Sequence, residues 1–287
     1  MEILDEHVGW LRFNKAMNDK HEENIIQIKG VLELLEECEK ILFGIIKTEI
    51  EYPNKSIIHD EVLVPVLARS FRHCVAALKI SLSGYPDSAY IIIRTLWECW
   101  IRILILKDEP IEAAFGFRLN EINEHKKIYE YYSKDYADYL NELGEMKSGL
   151  EREIESADLT SSSKERVKAL GNQLNYQQEC DRIDAKHNSG HFRNEYKKSY
   201  RDFCMITHGK RGPDDLFIYE SGDVRLVNID PIPRMHIRAI KNTLDLMTLI
   251  LLSGAAIVEV DGKQADGLCQ QCISIRERMH QYFHDYQ

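Results

Sequence analysis

The chain has 287 residues, 44% of them apolar and 29% charged, which is a globular composition and excludes a disordered or fibrous one. Fifteen glycines and seven prolines are few for this length, so helices are favoured over a sandwich or barrel. A net charge of −10 excludes a uniformly basic nucleic-acid coat but leaves room for a local basic site.

The opening MEILDEHVGW is acidic and lacks the apolar stretch of a signal peptide. From Glu22 to about Thr48, Ile25, Ile28, Leu32, Leu35, Ile41, Leu42 and Ile45 recur at helical spacing. Tyr52-Pro53-Asn54 ends that helix, and a second is predicted from about Asp60 to Ser83. Gly84-Tyr85-Pro86-Asp87 reads as a turn, with Asp87 or Ser88 capping a third helix that runs to about Lys107. A fourth is predicted from Ile111 to about Leu143. The stretch at about 141–178 is polar, with thin apolar periodicity, and reads as a solvent-exposed helical excursion inserted into the bundle. After the loop Lys186–Gly190, a helix from about His191 to Gly209 is expected. Residues 216–220 and 224–228 flank Ser221-Gly222-Asp223, which signals a small β-hairpin. Two last helices, from Pro233 to about Val260 and from about Ala265 to Tyr286, complete an all-α bundle. The expected organisation is one helical domain over 1–287, with its core at about 60–260 and N-terminal helices within 1–50.

Two apolar runs imitate membrane spans. Ile91–Leu106 carries Arg94, Glu98 and Arg102, which are costly in lipid, and Leu244–Val260 is interrupted by Asp245, Ser253 and Gly254. Both read as core helices, so no membrane contact is expected. Seven cysteines, an odd number scattered through apolar runs, point to reduced thiols in a cytoplasmic protein.

Two clusters could carry chemistry. Arg201 and His208 are two helical turns apart, about 10 Å along one face of a continuous helix. A guanidinium can hold a phosphate and an imidazole can pass protons near neutral pH, a pair suited to metal-independent cleavage of RNA. Around them, Arg193, Lys197, Lys198, Lys210 and Arg211 make residues 191–211 a +4 island, whereas the rest of the chain carries −14. The bland alternative is a helix-terminal histidine interacting with the last carbonyls. The second cluster is Arg94 with Glu98, four apart on an apolar helix. Charges there must pair or line a polar cavity, either as a structural ion pair or as a support for the His208 helix. Arg69, Arg72 and His73 read as a satisfied polar cluster on the second helix. Cys269, Cys272, His280 and His284 resemble zinc ligands, but Cys269 and His284 are about 22 Å apart along a continuous helix, too far for one ion. No phosphate loop, dinucleotide fingerprint, nucleophile elbow or HExxH motif is present, so no metal and no cofactor are expected.

The Arg201-x6-His208 element, with polar Asp202 directly after the arginine and placed late in a helical chain, resembles the signature of the HEPN superfamily. Together with Arg94-Thr95-Leu96-x-Glu98 and Tyr200-Arg201, it resembles a largely uncharacterised bacterial HEPN-like family over about residues 60–260. The resemblance implies a helical bundle that dimerises so that two Arg–His motifs face one cleft. It implies a ribonuclease of toxin–antitoxin or phage-defence type, or else a non-catalytic module that binds a partner protein or a nucleotide. By that likeness Arg201 holds phosphate, His208 is the acid/base, and Asp202, Arg94 and Glu98 support them. Asp202 stands where the family often has Asn, and the downstream Tyr of the commonest toxin subgroup is replaced by Gly209-Lys210.

Overall fold

The computed structural model describes residues 21–51, 57–83, 85–131, 136–172, 174–201, 203–204, 218–221, 224–227, 233–258 and 263–284. Its packed body is all-α. The helices are α1 (His21–Glu51), α2 (Ile57–Leu82), α3 (Pro86–Asp108), α4 (Pro110–Glu130), α5 (Ala137–Ser156), α6 (Ser161–Gly171) and α7 (Tyr176–His187). They are followed by α8 (His191–Glu195), which continues directly into a π-helical turn, Tyr196–Tyr200, and by α9 (Pro233–Ala255) and α10 (Lys263–His284). Two short strands, Ile218–Ser221 (β1) and Val224–Val227 (β2), pair antiparallel with Ser221 opposite Val224.

α3 and α9 form the middle of the bundle. α9 packs on α1, α2, α3 and α10, while α3 packs on α2, α4, α7 and α9. This is why Ile91–Leu106 is so apolar: Ile93, Leu96, Trp97, Ile101, Ile103 and Leu106 are all buried. Among the described residues, no helix is long and apolar enough to cross a membrane.

The chain reverses between α4 and α5, where one helix to about Leu143 was expected. The reversal has a packing reason. Leu143, Leu150 and Ile154 form a narrow stripe on α5 that is buried only by folding back onto Phe115, Leu119 and Ile122 of α4. Val167 of α6 completes this second core. The 141–178 stretch is therefore docked on the bundle rather than projecting into solvent. Two glycines permit the close fit: a Cβ on Gly116 would lie 2.4 Å from Leu170 Cβ, and one on Gly171 would lie 2.5 Å from Leu119 Cδ2.

Arg166 joins α6 to its neighbours. Its Nε donates to Glu109 at 2.6 Å, and its two terminal nitrogens donate to the two oxygens of Glu179 at 2.9 and 2.6 Å. α7 ends at Asn188, whose left-handed backbone (φ 50°) turns the chain towards α8.

Candidate functional site

The α8 segment is fixed at its start by Asp184 of α7. This buried carboxylate accepts from Ser189 Oγ at 2.5 Å and from the backbone N–H groups of Phe192 and Arg193 at 3.1 and 2.8 Å. It satisfies N–H groups that the first turn of a helix leaves without partners. Burial alone would raise its pKa, but these hydrogen bonds and the nearby His191 outweigh it and hold the carboxyl below its usual range.

The helix then widens. The Arg201 backbone N–H donates to the carbonyl of Tyr196, five residues back, in place of the four-residue step of an α-helix. Tyr196 and Tyr200 are stacked, with ring centroids 5.2 Å apart. Tyr200 also lies 4.4 Å from Trp97 of α3 and 5.7 Å from Tyr176 of α7, so four rings from three segments form one cluster. Burial pushes the Tyr176 hydroxyl up to about 12.

Arg94 and Glu98 meet this cluster. Arg94 Nε donates to Glu98 Oε1 at 3.0 Å, and the Tyr200 hydroxyl donates to the same oxygen at 2.8 Å. The Arg94 guanidinium carbon lies 5.6 Å from the centre of the Tyr200 ring, a cation–π geometry. Burial first, and the Glu98 charge second, raise the Tyr200 pKa strongly, so its hydroxyl remains a donor. The α3 pair therefore holds the residue that directly precedes Arg201.

Arg201 itself is exposed, as are Arg193, Lys197 and Lys198. Arg193 pairs loosely with Asp181 at 3.4 Å. Lys197, Lys198 and Arg201 form no ion pair among the described residues. The segment thus presents a cationic outer face and a buried aromatic inner one. Asp202, His208, Lys210 and Arg211 lie outside the described residues. Of the other sequence candidates, Arg69 and Arg72 are exposed, and burial, followed by the charge of Arg69, lowers the pKa of half-buried His73. Cys272 is buried, and burial raises its thiol to about 12. Tyr176 and Tyr196 were not singled out from the sequence, and Tyr200 entered there only as the residue before Arg201 in the Tyr200-Arg201 element, with no role of its own. The i, i+4 spacing of Tyr196 and Tyr200 was a further signal.

Residues 60–220 match a family of unknown function, DUF5677, over more than half of the chain. The chain belongs to DUF5677. The matched stretch contains the Arg94/Glu98 element, Tyr200, Arg201 and His208, and leaves out α1, α9 and α10. No curated protein and no solved structure matches this DUF5677 chain.

Proposed function

We propose that this protein is a metal-independent endoribonuclease of the HEPN type, acting in the cytoplasm as a toxin or phage-defence effector. The observation that carries the reading is the mounting of Arg201. It directly follows a segment held at its start by Asp184 and at Tyr200 by the Glu98–Arg94 clamp, while its side chain stands in solvent on a cationic face. A preorganised, solvent-facing guanidinium suits a phosphate group.

In the proposed reaction, His208 takes the proton from a ribose 2′-hydroxyl, whose oxygen attacks the neighbouring phosphorus. The P–O5′ bond breaks, a proton returns to the 5′ oxygen, and a 2′,3′-cyclic phosphate remains. Arg201 holds the phosphorus oxygens as charge builds there. Arg193, Lys197, Lys198, Lys210 and Arg211 guide the strand, and Asp202 supports the pair. No metal or cofactor enters these steps. A homodimer would bring two Arg201–His208 pairs to one cleft, and an antitoxin or defence-system partner would restrain it.

Purified protein incubated with total RNA in EDTA tests the reading. Wild type should cleave, and His208→Ala and Arg201→Ala should each lose about 100-fold or more in rate. Absence of cleavage by wild type, or equal cleavage by His208→Ala, overturns it. The alternative is a non-catalytic module that binds a nucleotide or a partner protein.

A further inference from the structure

The segment from α8 through the π turn runs antiparallel to α3. Phe192 meets Trp100 with ring centroids 5.4 Å apart, Tyr200 meets Trp97 at 4.4 Å, and Phe203 stacks on Tyr90 at 5.5 Å. As the chain advances from 192 to 203, its partners on α3 step back from 100 to 90. Arg201 stands near the end of this run, two residues before Phe203.

α9 flanks the same segment. Asn242, Asp245 and Leu249 line a partly open cavity of about 170 Å³ together with Glu195, Ser199 and Phe203. The three α9 positions are separated by steps of three and four, so they share one face of the helix. Arg238 is four residues before Asn242 and lies on that face, about 6 Å nearer the helix start. Tyr90 identifies the end of the segment that Arg238 reaches. Burial raises the pKa of the Tyr90 hydroxyl, and the positive charge of Arg238 works against that rise. Arg238 therefore stands where Phe203 stacks on Tyr90, at the Arg201 end of the run.

Arg238 is exposed and forms no ion pair among the described residues. Asp245, the acid on its face of α9, is taken by Arg276 Nε at 2.9 Å. Glu195, across the cavity, accepts from Ser199 Oγ at 3.0 Å. The Arg238 charge thus adds to that of the neighbouring cationic segment instead of being cancelled locally.

We propose that Arg238 is a further phosphate-binding group of the site, holding a phosphodiester of the RNA strand that neighbours the one at Arg201. The assignment rests on the reading of Arg201 as a phosphate holder. It carries the strand from the α8 segment onto α9, outside the stretch that matches the family.

The test measures binding rather than cleavage. Anisotropy of a labelled single-stranded RNA oligonucleotide is followed in EDTA over a series of KCl concentrations, with His208→Ala as the parent chain. Adding Arg238→Gln should weaken binding about fivefold and lower the slope of log affinity against log salt by about 0.7, the loss of one phosphate contact on a single strand. Arg238→Lys keeps the charge and should keep the slope. Arg152→Gln, an exposed position on α5, should change neither. An Arg238→Gln slope equal to that of the parent, or an equal fall in Arg152→Gln, overturns the proposal. If Arg201→Gln lowers the slope and Arg238→Gln does not, the cleavage reading stands and this assignment falls. If Arg238→Gln lowers it in a protein whose wild type cleaves nothing, this assignment stands and the cleavage reading falls. A parent chain that binds no RNA overturns both.

Discussion

Arg166 and Arg94 each pair with a glutamate, yet the two clusters are built differently. Arg166 and Glu179 have side chains only 8% exposed, and the guanidinium is consumed by three hydrogen bonds to two carboxylates. Arg94 and Glu98 are 27% and 23% exposed, and their pairing extends outward to Tyr200, one residue from an exposed arginine. A pair buried this deeply, with every guanidinium bond spent on protein carboxylates, serves to fix how helices pack. A half-open one can hold a neighbouring group in place and still let it meet a ligand.

The comparison breaks most readily at Arg166. Arg166→Ala would leave Glu109 and Glu179 facing each other without the cation, Glu179 being buried, so a loss of about 3–5 kcal/mol is expected in denaturant unfolding. A loss under about 1 kcal/mol would mean that water reaches the cluster. Glu98→Ala should cost less, about 1–2 kcal/mol, because Arg94 and the Tyr200 hydroxyl are near enough to solvent to be partly rehydrated. Tyr200→Phe removes only the hydroxyl and should cost about 1 kcal/mol. If Glu98→Ala equals Arg166→Ala, the two clusters are of one kind.

The α3 pair was legible in the sequence because two opposite charges four residues apart on an apolar helix must meet. Its third member was not, since Tyr200 lies 102 positions from Glu98 and one sequence carries no record of that contact. The docking of α6 was hidden for a similar reason. Arg166 and Glu179 lie in a stretch dominated by charge, and only the tertiary fold shows that this charge is buried. The π turn has no compositional signature in Tyr196-Lys197-Lys198-Ser199-Tyr200, so the segment read as a plain α-helix. The long helices were readable because their apolar period is strong. The boundary between α4 and α5 was not, because it depends on which stripe finds which partner.

Asp184 offers a smaller, pH-dependent effect. Its folded pKa lies below its unfolded value, so its contribution is fully present above about pH 4 and is lost as pH falls through the folded pKa. Thermal melts of wild type and Asp184→Asn should differ most at neutral pH and converge in acid. A gap that widens in acid would show that the carboxyl is not stabilised as its hydrogen bonds indicate.

The smallest expected stability change is at Arg201. Its side chain is exposed, and it has no ion pair among the described residues to lose. Arg193, Lys197 and Lys198 lie on the same short segment, so deleting one cation also relieves like-charge repulsion. Arg201→Ala should therefore change unfolding free energy by less than about 0.5 kcal/mol while removing RNA cleavage. Those two readouts together separate a presented arginine from a structural one. A loss above about 1 kcal/mol would place Arg201 with Arg166, as a residue that holds the fold rather than one the fold holds out.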